Sequence, residues 1–280
     1  MAQQGSLAGR TILMSGGSRG IGLAIAVRAA ADGANVALIA KTDQPDPRLP
    51  GTIHTAAEEI EKAGGQALAI VGDIRNDEQV QAAVNSTVER FGGIDIVLNN
   101  ASAINLSNIG DLPIKRYDLM LDINTRGTFL LTSLALPHLL KSGNAHVLTL
   151  SPPLDPDRRW LAAHAPYTLS KYGMTMLTLG VAEQYRDKGV AANCLWPRTT
   201  IATAAIQNIV GGEAAMAVSR RPEIMADAAY QVLVQPAGEY TGQTLIDDEV
   251  LRAAGVTDFD SYRYPGASEE DLRADIFLGD

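Results

Sequence analysis

Thr11-Ile12-Leu13-Met14-Ser15-Gly16-Gly17-Ser18-Arg19-Gly20-Ile21-Gly22 passes from a short apolar strand through a glycine-rich turn into a helix. The helix continues over Leu23-Ala24-Ile25-Ala26-Val27-Arg28-Ala29-Ala30-Ala31-Asp32, and Gly33 ends it. That order leaves the backbone N–H groups of a helix N-terminus available to a phosphate. Gly16 allows the sharp turn, Gly20 lets a pyrophosphate approach the backbone, and Gly22 lets the helix pack close to the strand. The spacing is G-x-x-x-G-x-G, and an ordinary strand–helix turn is the competing reading.

Outward from this turn, strand and helix signals alternate. Strands are expected at 35–40, 66–71, 94–99, 145–150, 190–196 and 241–246, and helices at 55–63, 77–91, 166–187 and 221–234. Residues 113–140 read as two helices meeting near 122–124. Two proline-rich loops interrupt the pattern, at 41–51 and 151–159, and the first is long for a strand–helix connection. Residues 247–280 are polar and weakly patterned. Alternating strands and helices predict βαβ units and a parallel sheet covered on both faces. No repeat or composition break divides the chain, so one domain over 1–250 with a C-terminal extension at 251–280 is expected.

Of 280 residues, 46% are hydrophobic, which is ample for a core. Net charge is −9, from 23 basic and 32 acidic residues, which argues against a general nucleic-acid surface. The single cysteine, Cys194, lies in an apolar run and reads as a small buried hydrophobe. A reducing, cytoplasmic setting fits it. Met1-Ala2-Gln3-Gln4-Gly5 has no signal-peptide character, Phe277-Leu278-Gly279-Asp280 is no peroxisomal address, and no run is long enough to span a membrane. His54, His138, His146 and His164 have no metal-ligand spacing, so no metal is expected.

Tyr167 and Lys171, in Tyr167-Thr168-Leu169-Ser170-Lys171, share one face of a helix. A free tyrosine, with a pKa of about 10, is a poor acid–base at neutral pH. A lysine ammonium within a few ångströms stabilises the phenolate and lowers that value. Such a pair exchanges a proton with a carbonyl or alcohol oxygen. A solvated helix face is the plainer reading of Y-x-x-x-K alone; its value comes from following the fifth strand, where open α/β sheets place their sites.

At this point the chain resembles the short-chain dehydrogenase/reductase family. The turn matches its T-G-x-x-x-G-x-G with Ser15 for threonine, Asn99-Asn100-Ala101-Ser102 matches its N-N-A-G, Asn124 its helix asparagine, and Tyr167 and Lys171 its Y-x-x-x-K. These matches span about residues 8–250. The loop after the second strand, Ser151-Pro152-Pro153, Tyr172-Gly173-Met174 and Trp196-Pro197-Arg198-Thr199 narrow the resemblance to the hydroxysteroid dehydrogenase-like branch. Larger members of that branch carry a C-terminal sterol-carrier domain that this sequence does not show.

The resemblance implies a Rossmann-type doubly wound sheet of seven strands in the order 3-2-1-4-5-6-7. It implies hydride transfer between NADP(H), or less readily NAD(H), and a carbonyl or secondary alcohol. Tyr167 would be the general acid–base, Lys171 would lower its pKa and bind the nicotinamide ribose, and Asn124 would hold a relay water. Ser151 would orient the carbonyl, although it stands sixteen residues before Tyr167 where the family has thirteen, at Leu154. Ser15, Gly16, Ser18, Arg19, Gly20, Ile21, Asn100, Ala101, Pro197 and Thr199 would line the cofactor, with Thr200 or Thr203 as alternatives to Thr199, and Asp73 would meet its adenine or cap the next helix. Ala40 stands where NAD enzymes place an acid, and Lys41 with Arg19 suits a 2′-phosphate; Asp43 is the residue that a shifted register would bring to the ribose. Arg198 replaces a family glycine and either anchors an anionic substrate such as an acyl-CoA or faces solvent. Trp160 and His164 are candidate pocket residues. Substrates of fatty-acyl, steroid-like or small xenobiotic type stay open, and a homodimer or homotetramer through the helices at 115–140 and 166–187 is expected. An NADP-binding scaffold with little turnover is the alternative function.

Overall fold

A computed structural model describes residues 5–46 and 49–278, apart from the side chains of residues 209 and 210. Residues Met1, Ala2, Gln3 and Gln4, the loop's Pro47 and Arg48, and the end at Gly279 and Asp280 lie outside it, with the expectations made for them. The chain forms β1 (Thr11–Ser15), α1 (Gly20–Ala30), β2 (Asn35–Ala40), α2 (Ile53–Ala63), β3 (Gln66–Val71), α3 (Asp77–Phe91), β4 (Ile96–Asn99), α4 (Ile114–Leu121), α5 (Gly127–Leu139), β5 (Ala145–Thr149), α6 (Arg158–Tyr185), β6 (Val190–Trp196), α7 (Gly212–Met216), α8 (Glu223–Leu233), β7 (Thr244–Ile246) and α9 (Asp247–Ala253). The seven strands are all parallel, in the order β3-β2-β1-β4-β5-β6-β7. This is the expected doubly wound sheet.

Strand periodicity assigns the core. Ile12 and Met14 of β1 enter one apolar layer, with Ile25, Ala29, Ile60 and Val232 from the helices on that face. Leu13, pointing the other way, joins Val80, Val84, Leu131 and Ala182. Both faces of the central strands are thereby dry, which is why these strands read as continuous apolar runs.

Several boundaries differ from expectation. The strand expected from 94 is regular only from Ile96, although Asp95 N already donates to Thr11 O (2.9 Å) and its carboxylate accepts from Thr11 N (2.9 Å) and Ser142 Oγ (2.5 Å). The strand expected from 241 begins at Thr244, after Thr241 Oγ1 has taken the Ala192 N–H at 2.9 Å. The helix expected at 166 is preceded by further helical residues from Arg158, and the two parts meet at a break on His164 (φ −156°, ψ 54°). Pro166 restarts the helix there because its missing N–H costs nothing in a first turn. Residues 113–140 form two helices as expected, joined by a π-turn over Asp122–Arg126 that carries Asn124. The C-terminal residues are far more ordered than their pattern suggested: α9 follows β7 at once, Phe259 enters the core, and Phe277 is 1% exposed.

His146 on β5 is buried, and its Nε2 lies 3.0 Å from Gln235 O. Burial pulls its pKa down to about 4, with the Gln235 hydrogen bond opposing. The unfolded chain therefore binds the proton first. Stability is complete above about pH 6.5 and falls as pH drops toward 4, by on the order of 2–3 kcal/mol. Denaturant titrations at a series of pH values should show this slope, and His146→Asn should flatten it.

Candidate functional site

Two adjoining cavities open at the C-terminal ends of the strands. The first is a groove floored by Gly16–Ile21 and walled by Lys41, Asp73 and Asn100–Ser102. Gly16 (φ 79°) and Gly20 (φ 59°) are in the left-handed region, where a side chain is strained. At Gly22 a Cβ would fall 2.5 Å from Asn100 Nδ2, so this glycine makes room for an asparagine rather than for the strand itself. Arg19 precedes α1 without a side-chain cap, so the N–H groups of the first turn face the groove unclaimed by a side chain. This is a fitting cradle for the diphosphate of a dinucleotide.

The expected groove residues divide. Gly16, Ser18, Arg19, Gly20, Ile21, Lys41, Asp73, Asn100 and Ala101 line it. Ser15 does not: it is 3% exposed, and its Oγ accepts from Asn100 N and Ala101 N, both at 3.2 Å. Its hydroxyl ties β1 to the segment after β4 and is not offered to a ligand. Arg19 is engaged as well, donating to Pro50 O (2.9 Å) and Gly51 O (3.0 Å). Lys41 is 60% exposed, with Nζ 3.4 Å from Asp73 Oδ2. The Arg75 guanidinium grips the same carboxylate at 2.6 Å and holds its pKa far below the usual range. Asp43 bonds His54 at 2.7 Å and is not among the groove residues.

The second cavity, of about 270 Å³, shares Ile21, Asn100, Ser102, Thr203 and Ala205 with the groove and reaches Tyr167 and Lys171. Its walls are largely apolar, with Ile104, Leu106, Trp196, Ile206 and Met225. Lys171 donates to Leu150 O at 2.7 Å and lies 5.0 Å above the Trp196 ring. Burial lowers its pKa, with Asp275 opposing. Tyr167 is also buried, and here the expectation of a lowered pKa fails. Burial pushes its phenol well above the usual range, the Asp275 charge adds to that, and Ser102 opposes it. Asn124 is fully buried, accepting from Ala103 N (2.7 Å) and donating to Ala103 O (2.9 Å) and Ser170 Oγ (3.0 Å).

Ser151 is not brought to this cavity. It is fully buried, and Thr175 Oγ1 lies 2.9 Å from its Oγ. The loop after β5 turns it inward, against Thr175 of α6. Pro197 lines the cavity as expected. Thr199 does not, and its Oγ1 is buried without a partner, because residue 199 pairs with Ala274. Thr203, by contrast, lines both cavities. Arg198 neither faces solvent freely nor points at a ligand: it binds Asp248 at 3.1 Å and Glu249, which neutralises it and removes the basis for an acyl-CoA anchor.

Ser102 and the C-terminal strap were not legible as site residues. Residues 273–276 line the cavity beside Lys171. Phe277 sits among Trp160, His164, Tyr167, Tyr172 and Trp196, with ring centroids 5.4 to 5.9 Å away, and is stacked on Tyr167. Trp160 and His164 thus belong to this aromatic cage and not to the lining of the cavity. The one available signal was the apolar Ile276-Phe277-Leu278 in an otherwise polar tail.

Residues 10–213 match the short chain dehydrogenase family. The chain belongs to the short-chain dehydrogenase/reductase family, whose members are NAD(P)-dependent oxidoreductases. Hydroxysteroid dehydrogenase-like protein 2 of Danio rerio is 53% identical over 275 residues, covering 98% of this chain and 65% of that protein. The Homo sapiens protein of the same name is 48% identical, with 98% and 64% covered. The chain thus spans somewhat less than two thirds of these relatives. Among solved structures, a putative dehydrogenase from Xanthomonas campestris is 53% identical with a TM-score of 0.94, covering 98% of this chain and 100% of that one. A short chain dehydrogenase from Mycobacterium thermoresistibile is 57% identical with a TM-score of 0.92, covering 98% and 96%. Among the described residues no helix is long and apolar enough to cross a membrane.

Ser15→Ala removes the shared acceptor of two N–H groups at the base of the groove. The expected cost is about 1–3 kcal/mol. Tm measured by calorimetry should fall by roughly 2–10 °C.

Proposed function

We propose that this protein transfers hydride between NADP(H) and a carbonyl or secondary alcohol, with Tyr167 as general acid–base. The observation that carries the reading is the continuity of the two cavities. A groove shaped for a dinucleotide opens directly onto the one that Tyr167 and Lys171 line. Bound nicotinamide supplies the hydride. Tyr167 gives its proton to the carbonyl oxygen in reduction, or takes it from the alcohol in oxidation. Lys171 lines the same cavity and donates to Leu150 O, and turning its ammonium toward the phenol and the cofactor would lower the phenol's pKa. Asn124 keeps the π-turn and the 103 backbone in register beside them. The apolar walls suit a steroid-like or fatty-acyl carbonyl, and the names of the relatives agree with the former.

NADP(H) is favoured over NAD(H) because Ala40 leaves no acid at the end of β2, Lys41 and Arg19 line the groove, and Asp43 is turned to His54. The Lys41–Asp73 pair is the feature that favours NAD(H). A scaffold with little turnover is supported by the inward Ser151 and opposed by the joint placement of Tyr167 and Lys171. A second copy of the chain would cover the exposed Phe129 on α5 and Leu169 and Met176 on α6. A cytoplasmic setting suits the free, buried Cys194.

Tyr167→Phe should bind NADPH with unchanged Kd and lose turnover by at least about a thousandfold in a carbonyl screen; retained turnover would remove Tyr167 from its role. Lys41→Ala should weaken NADPH binding about tenfold and leave NADH binding nearly unchanged, as read by fluorescence titration.

A further inference from the structure

Residues 273–278 cross one side of the reacting cavity and are pinned along their length. Thr200 N donates to Arg273 O (2.9 Å), Arg273 N to Val218 O (2.9 Å), Asp275 N to Arg198 O (3.0 Å) and Trp196 Nε1 to Ile276 O (2.9 Å). Phe277 locks the end of the strap in the aromatic cage, with a left-handed φ of 73° that a phenylalanine adopts only when its surroundings impose it. Between these anchors the Asp275 carboxylate faces the cavity. Ile276 N donates to its Oδ1 at 2.7 Å and fixes its direction. The charged and titratable groups that face it are Lys171 and Tyr167 from α6, Asp247 from α9 and Arg273 from the strap. The remaining wall is mostly apolar, so fixed charges act strongly there.

An oxidised nicotinamide ring is a cation and a reduced one is neutral, while the rest of the two cofactors is the same. A carboxylate in the wall of the nicotinamide cavity interacts with that difference. We propose that Asp275 is a specificity-determining residue of this site, whose carboxylate favours the oxidised cofactor over the reduced one. The inference rests on the reading above, in which this cavity receives the nicotinamide. Its consequence is a bias in direction. Favouring the cationic product of hydride donation draws the on-protein equilibrium toward carbonyl reduction. The same negative charge keeps the proton on Tyr167, where reduction needs it.

Burial pushes Asp275 up to about 7, with Asp247 adding and Lys171 and Arg273 opposing. Its charge is therefore present above that pH and lost below it. The test is calorimetric measurement of Kd for NADP+, NADPH, NAD+ and NADH on the full chain and on Asp275→Asn, from about pH 6 to about pH 8. Both members of each pair carry the same phosphates, so phosphate titration cancels in their ratio. The oxidised-over-reduced preference should be about tenfold larger in the wild-type protein than in the variant at the upper pH. That gap, equal to about 1.4 kcal/mol, should close at the lower pH. A preference at the upper pH that Asp275→Asn leaves unchanged overturns the assignment, and so does an equal slope in Asp275→Asn. If none of the four nucleotides binds, the reading of the cavity fails and the inference fails with it.

Discussion

Two N–H groups on one hydroxyl hold the site's two halves together. Asn100 N and Ala101 N both donate to Ser15 Oγ, and Asn100 Nδ2 donates to Ser15 O at 3.2 Å. These bonds fasten the end of β4 to the glycine turn that follows β1. The Asn100 side chain then fills the space that Gly16 and Gly22 leave empty, where a Cβ at either would come within 2.5 Å of its Nδ2. Turn, helix start and the 100–102 segment form one rigid corner. The glycine-turn groove lies on one side of that corner and the cavity of Tyr167 and Lys171 on the other, and Ser102 faces both.

Electrostatics separates these two regions. In the groove the charges are solvated and paired, as with Lys41, Asp73 and Arg75, and each pair contributes little to stability while shaping what anion can approach. In the cavity the charges are enclosed. Burial acts against the ammonium of Lys171 and against the carboxylate of Asp275, and each eases the other. Such a site is costly to assemble, and its groups are poised to change state when a ligand replaces one partner. The strap is therefore both a structural closure and a source of charge, and its attachment to Trp196, Arg198 and Thr200 makes the loop after β6 part of the same unit.

Much of this was readable from residue order. The glycine turn, the six further strands and the Tyr167–Lys171 spacing are local features, set by backbone sterics and by periodicities of two and 3.6 residues. Asn124 at the meeting of two helices was equally local, since the expected junction and the π-turn coincide. A side chain whose direction depends on a loop carries no such local signal. Ser151 lies next to a strand end, and nothing in Ser151-Pro152-Pro153 says that the loop carries the hydroxyl inward to Thr175. Thr199 and Thr203 are alike in sequence, and only the pairing of residue 199 with Ala274 turns one away and leaves the other at the cofactor groove.

The amino-acid order alone determined the alternation of strands and helices, the parallel sheet and the glycine turn, because these follow from short-range sterics and apolar periodicity, while the strand order came from the family resemblance. Only the tertiary structure decided what surrounds the reacting groups. A polar tail with a few scattered buried residues, Phe277 among them, carries no periodicity, so its return across some eighty residues of sequence to Trp196 is invisible until the chain is folded. Long-range contacts of this kind are chosen by shape and by the burial of one large ring, and those are properties of the assembled surface rather than of any stretch of the chain.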